Sequence, residues 1–334
     1  MHVEPWLWWT TVLVTLALLL FDVFIIGRRP HTPTMKESGT YLAGYIGLAI
    51  LFGLMVWWQF GAQSGGEFFA GWLTEYSLSI DNLFIFIIIM GKLAVPRQYQ
   101  QTALLIGIVI ALVLRGIFIA VGAAAIEQFS WVFYLFGAFL ILTAVNLFRE
   151  AGDDDEDGGY EEPRVVRYVK SHFPISEDWN GVKLSVKIDG KRLLTPMFIV
   201  VLSLGMTDLL FALDSIPAIY GLTSEPYLVF TANVFALMGL RQLYFLIGDL
   251  LRRLVYLSYG LSFLLLFIGV KLVFHAMHEN ELPFINGGEP VEWAPEIPIW
   301  LSLLVIVGTL VVTAVASLAK DRSDRRKAES SAAG

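Results

Sequence analysis

The chain has 334 residues, of which 56% are hydrophobic and 16% charged, too few charges to clothe a soluble globule of this length. Its net charge of −7 carries little information about partners, because charge in a membrane protein is sorted between two faces. The absence of cysteine excludes a disulfide framework, a thiolate metal site and a cysteine nucleophile, so a bound metal has only oxygen and imidazole ligands to use.

Apolar runs near 20 residues long, the length that crosses roughly 30 Å of hydrocarbon, recur along the whole chain. They fall at about 6–27, 41–61, 67–91, 102–126, 130–148, 193–219, 227–248, 255–277 and 297–318. The expected fold is an all-α polytopic membrane protein with about nine transmembrane helices. The first run has no basic residue ahead of it and no small-residue cleavage site before Arg28, so it reads as a retained helix. Residues 1–62 hold two N-terminal spans, 67–148 and 193–277 hold three each, and 297–318 form the last. Residues 149–192 form a cytoplasmic loop whose SVKIDGKR segment is expected to make a short strand or turn. The polar tail 319–334 is expected to be disordered.

Basic residues orient this map. Of the 23 lysines and arginines, 20 fall in the loops after the first, third, fifth and seventh runs or in the tail, and the opposite-face segments hold none. Cytoplasmic loops concentrate such residues, which places the N-terminus outside and the C-terminus in the cytoplasm. The three remaining cations, Arg115, Arg241 and Lys271, lie inside apolar runs.

The third run contains Thr74-Glu75 followed by Asp81-Asn82, and the sixth contains Thr207-Asp208 followed by Asp214-Ser215. This T-[ED]-x5-D-[NS] pattern marks an internal repeat that extends onward, Ala111 to Arg115 resembling Leu237 to Arg241 and Tyr134 to Asn146 matching the spacing of Tyr259 to Lys271. Each unit has three helices. An odd number starts the second copy on the face where the first ended, so the units are inverted and their acids are expected to meet near the bilayer midplane.

Within each motif the acids are six residues apart, about 120° around a regular helix. Local unwinding would bring them together, and Pro217, which leaves the Leu213 carbonyl without its helical donor, favours it in the sixth run. Asp22, Glu75, Asp81, Asp208 and Asp214 are five acids in apolar helices. At about 2.5–3.5 kcal/mol per charge at a helix centre they would cost on the order of 15 kcal/mol if left alone. Three cations against five anions leave two negative charges, matching one divalent ion or protons taken up in exchange for it. With Asn82 and Ser215 adding neutral oxygens, the donor set suits Mn²⁺, Mg²⁺ or Ca²⁺. Glu67, His275 and His278 sit at helix ends and read as solvated or interfacial.

These residues resemble the TerC family of bacterial integral membrane proteins, known from tellurite resistance and manganese export. The resemblance rests on EYSLSIDNLFIF at 75–86, TDLLFALDSIPAI at 207–219, FTANVFALMGLRQLYF at 230–245 and GVKL at 269–272. It implies a multi-pass protein of the bacterial inner membrane that exports a divalent cation, with Mn²⁺ as cargo. Glu75, Asp81, Asn82, Asp208, Asp214 and Ser215 would be the ligands, supported by Asp22, Arg115, Arg241 and Lys271. One departure is Gly205, where many relatives carry a glutamate. With no nucleotide-binding motif, transport would be coupled to H⁺ or Na⁺. No permanent cofactor, no nucleic-acid partner and no enzymatic activity are expected. The competing readings are an accessory protein that metallates secreted enzymes beside the translocation machinery, and an intramembrane aspartyl protease.

Overall fold

A computed structural model describes residues 3–28, 34–129, 131–151, 163–176, 178–188, 191–251, 256–278, 280, 282, 285–291 and 293–332. The chain is helical: α1 (Pro5–Arg28), α2 (Met35–Lys92), α3 (Arg97–Gln128), α4 (Val132–Glu150), α5 (Arg164–His172), α6 (Pro196–Tyr220), α7 (Pro226–Met238), α8 (Leu240–Leu251), α9 (Leu257–His278) and α10 (Ile299–Ala332). A short antiparallel hairpin, β1 (Ser185–Ile188) with β2 (Lys191–Leu194), occupies the loop before α6. Among the described residues seven helical segments are long and apolar enough to cross a membrane, with α7 and the start of α8 counted together.

The 58-residue α2 is two helices. Gly61 interrupts it at φ 93°, ψ 172°, a conformation that only glycine adopts without strain, and the chain doubles back. A Cβ at Gly53 would strike the Phe69 ring, and one at Gly65 would strike Trp57; both pairs are symmetric about position 61, the signature of an antiparallel helical hairpin. The first limb starts at a capping box, in which the Thr34 hydroxyl accepts from the Glu37 amide at 3.2 Å and the Glu37 carboxylate accepts from the Thr34 amide at 3.4 Å. The second limb carries the first acidic motif.

The helix pairings interlock. α2 packs on α7 and α8, its second limb meeting α7 where a Cβ on Gly71 would lie 3.4 Å from Ala232, while α6 packs on α3 and α4 packs on α9. At this last crossing the backbones meet through glycine: a Cβ on Gly137 would lie 2.9 Å from the Gly269 carbonyl, and one on Gly269 would lie 3.0 Å from the Gly137 carbonyl. Further along, Ser262 Oγ donates to the Ala144 carbonyl at 2.7 Å. Moving each residue of the first pair to its counterpart 125 positions away gives the second pair, which is what a two-fold relation between α4 and α9 requires.

Two segments depart from the sequence reading. The tail expected to be disordered continues α10 to Ala332, because KDRSDRRKAES is built largely of good helix formers. The seventh run is interrupted at Gly239, where a Cβ would lie 3.1 Å from Leu42; the close approach of the first limb of α2 demands the smallest residue there. Large apolar side chains such as Leu51, Val121, Leu142 and Val312 face outward, as a lipid-solvated surface requires. Exposed Trp58, Trp131, Trp293 and Trp300 stand at one end of the bundle, beside the Gly61 corner and the starts of α4 and α10, like an interfacial aromatic belt.

Candidate functional site

Arg115 lies on α3, a helix with no other charge between Arg97 and Glu127, and its side chain is 1% exposed. A guanidinium cannot shed its charge, so burial forces partners onto it. Nε donates to Asp208 Oδ2 at 3.0 Å and Nη2 to Asp208 Oδ1 at 3.2 Å, a two-pronged pairing that matches the planar fork to the carboxylate. Nη1 donates to Glu75 Oε1 and also reaches Ser215 Oγ at 3.0 Å and Asn233 Oδ1 at 2.9 Å. Four helices thus converge on one cation: α2 through Glu75, α3 itself, α6 through Asp208 and Ser215, and α7 through Asn233.

Glu75, Asp208, Ser215 and Asn233 are each at most 2% exposed. Ser79, one turn along α2, donates to Glu75 Oε1 at 3.3 Å, and the Asn233 amide nitrogen donates to the Val229 carbonyl at 3.0 Å, which turns its oxygen toward Arg115. Two carboxylates face one guanidinium, leaving the centre one negative charge in excess. Among the described residues Glu75 Oε2 is buried without a hydrogen-bond partner, an acceptor with an unused lone pair in an oxygen-rich pocket.

The two acids of the sixth run do not share this pocket. α6 runs as one helix from Pro196 to Tyr220 with Pro217 inside it, so the unwinding expected there is not observed. A continuous helix leaves the acids about 120° apart: Asp208 turns to α3, while half-buried Asp214 turns to α4 and accepts from Thr143 Oγ1 at 3.3 Å. Asn82 is buried on α2. The side chains of Asp81 and Asp22 lie outside the described residues. Arg241, also buried, has Nη2 2.6 Å from the Gln242 amide, an approach that becomes a hydrogen bond to its oxygen once the amide is turned over. Lys271, on α9, donates to Ser302 Oγ at 3.4 Å. Gly205, one turn before Asp208, is buried, and a side chain there would point at Ile110 of α3.

Of the residues singled out from sequence, Glu75, Asp208, Ser215 and Arg115 meet; among the described residues no group of three or more acids or histidines is placed to hold a metal by itself. Asn233 and Ser79 were missed. Asn233 had a signal, an amide within the apolar run TANVFALM, since such a group at membrane depth needs a partner.

The comparisons agree with this picture of a membrane protein. A model of the integral membrane protein TerC family matches residues 60–325. An uncharacterized membrane protein of Mycobacterium tuberculosis is 46% identical over 311 residues, covering 93% of this chain and 78% of the relative. An uncharacterized membrane protein of Myxococcus xanthus is 37% identical over 319 residues, covering 96% and 94%. A protein of Escherichia coli K12 with the name "Putative membrane-bound redox modulator Alx" is 33% identical over 318 residues, covering 92% and 93%. No solved structure matches the chain.

Proposed function

Because the chain belongs to the integral membrane protein TerC family, we propose that it is a secondary transporter exporting a divalent cation, with Mn²⁺ as cargo, through the Arg115 centre. The observation that carries this reading is the buried guanidinium shared by Glu75 and Asp208. Arg115 acts as a tethered cation that fills the acidic pocket when cargo is absent. An entering Mn²⁺ takes its place among Glu75, Asp208, Ser215 and Asn233, whose oxygens form the hard donor set such an ion prefers, and Glu75 Oε2 supplies a ready ligand. Arg115 returning to the carboxylates then helps the ion leave.

The two three-helix units are inverted repeats in this reading. Support comes from the exchanged packing, in which each unit's acid-bearing helix lies on the other unit's second helix, and from the paired contacts Gly137 with Gly269 and Ala144 with Ser262. Rocking one unit against the other exposes the centre to either side, coupled to a counter-flow of H⁺ or Na⁺. With both limbs of α2 and α1 crossing, nine spans put the N-terminus outside and the C-terminus in the cytoplasm of the inner membrane. Asp214, turned to α4, serves the path beside the centre, and Asp81 is a further ligand of the moving ion.

The redox description of the Escherichia coli relative finds no thiol chemistry to act through here, because this chain has no cysteine. Purified protein in proteoliposomes tests the proposal: Mn²⁺ moves under an imposed ion gradient, and Asp208→Asn abolishes the movement. A vesicle that passes no Mn²⁺ under any gradient, while a known exporter does so in parallel, overturns it.

A further inference from the structure

A cavity of about 690 Å³ opens at the end of the bundle that bears the exposed tryptophans, and Glu67, Thr223, Lys271, His275, His278 and Glu296 line it. That volume has room for on the order of 20 waters, enough for a cation with its hydration shell. Two of the helices that build the buried centre, α2 and α6, also line the cavity, together with α9 and the start of α10. Glu67 precedes Glu75 by eight residues on α2, about 12 Å along the axis, and Tyr220 follows Ser215 by five on α6, about 7.5 Å.

An apolar cluster of Ile119, Ile216, Ile219, Tyr220 and Val229 lies along α3, α6 and α7 beside the centre, and Tyr220 is its member that reaches the cavity. Tyr220 lines the cavity and is 2% exposed. Its hydroxyl donates to the Ile119 carbonyl at 2.8 Å, and its ring lies against Gly122, where a Cβ would come within 3.1 Å of it. Gly122 is seven residues beyond Arg115 on α3, two turns along the same face. The ring therefore lies across α3 between the cavity and the turns that lead to Arg115, and the missing side chain at 122 makes room for it.

The geometry points to the cavity being the non-cytoplasmic mouth of the cation path, with Tyr220 as the seal between mouth and centre. This rests on the transport reading. The chemistry of the lining suits a mouth rather than a trap. Glu67 is tied up by Thr223 Oγ1 at 2.7 Å and Gln63 Nε2 at 3.0 Å, and Lys271 shares the chamber, so a divalent cation meets oxygen and imidazole groups without being held by a cage of bare acids. Conduction needs binding weak enough for the ion to leave.

A chain without cysteine allows single reporters. Right-side-out membranes carrying His275→Cys or Ser79→Cys are treated from outside with a membrane-impermeant, positively charged methanethiosulfonate. His275→Cys reacts, and its modification lowers Mn²⁺ efflux at least tenfold. Ser79→Cys, beside Glu75, is protected while Tyr220 is present, reacts at least tenfold faster in combination with Tyr220→Ala, and stays protected with Tyr220→Phe, which keeps the ring and the fold. Protection of His275→Cys from the outside reagent, its full modification with unchanged efflux, or equal reaction of Ser79→Cys with Tyr220 and with alanine overturns the assignment. The efflux outcome is read only on a protein that transports Mn²⁺, whereas reactivity is read without any flux, so failure of Mn²⁺ transport as such bears on the transport reading alone.

Discussion

Replacing Arg115 with methionine keeps most of the side chain's length and deletes its charge. Two carboxylates that now share a guanidinium through Nε, Nη1 and Nη2 are left facing each other in a pocket closed to water. Breaking a buried ion pair costs about 3–5 kcal/mol, and the unmet acceptors of Ser215 and Asn233 add to it. Unfolding in detergent, followed through the ten tryptophans, is expected to show a loss of that size. The loss has a chemical antidote. Mn²⁺ at a hundred times its dissociation constant adds about 2.7 kcal/mol to a state that binds it, so the Arg115→Met protein is stabilised by Mn²⁺ more than the wild type, whose arginine competes. Asp208→Asn in the same chain removes one of the stranded charges and recovers on the order of 2 kcal/mol, a coupling typical of groups in direct contact. An Arg115→Met protein as stable as the wild type, or one indifferent to Mn²⁺, refutes the picture of a tethered cation.

Other perturbations follow from the same geometry. Asp81→Asn and Asp214→Asn are each expected to abolish Mn²⁺ flux in proteoliposomes while leaving the protein folded by size-exclusion chromatography; wild-type rates in either remove that residue from the path. Lys271→Ala, at a lysine that donates to Ser302, weakens flux several-fold without stopping it. Gly61→Ala forces a side chain into φ 93° and is expected to lower stability by more than about 1 kcal/mol, read as an earlier unfolding transition. Gly137→Val drives methyl groups into the Gly269 carbonyl and Val273 and costs about 1–3 kcal/mol or more; an unchanged transition would show that α4 and α9 do not depend on that contact.

Much of the architecture is legible in the sequence because lipid imposes simple rules. Run length locates the helices, and the break between 61 and 67 survives in the structure as the Gly61 hairpin even though the helix resumes at once. The meeting of Glu75 with Asp208 follows from the repeated motif. Its arginine partner is less legible: the charge count treats Arg115, Arg241 and Lys271 alike, yet among the described residues it is Arg115, on the helix that packs along α6, whose long side chain reaches both acids. The divergence of Asp208 from Asp214 is implied by six-residue spacing, and the expectation of unwinding at Pro217 obscured it. A proline in the last turns of a helix removes one hydrogen bond without parting residues further up. Gly239 and Gly122 acquire meaning only from the neighbour that crowds them, which no single run of sequence displays.

The central claim is that Mn²⁺ and the Arg115 guanidinium compete for one oxygen-lined pocket. An anomalous-scattering map from crystals grown with Mn²⁺ decides it. The account predicts one peak between the carboxylates of Glu75 and Asp208, with Arg115 turned away from both. A peak elsewhere in the bundle, or Arg115 still clasping Asp208 at saturating Mn²⁺, contradicts it.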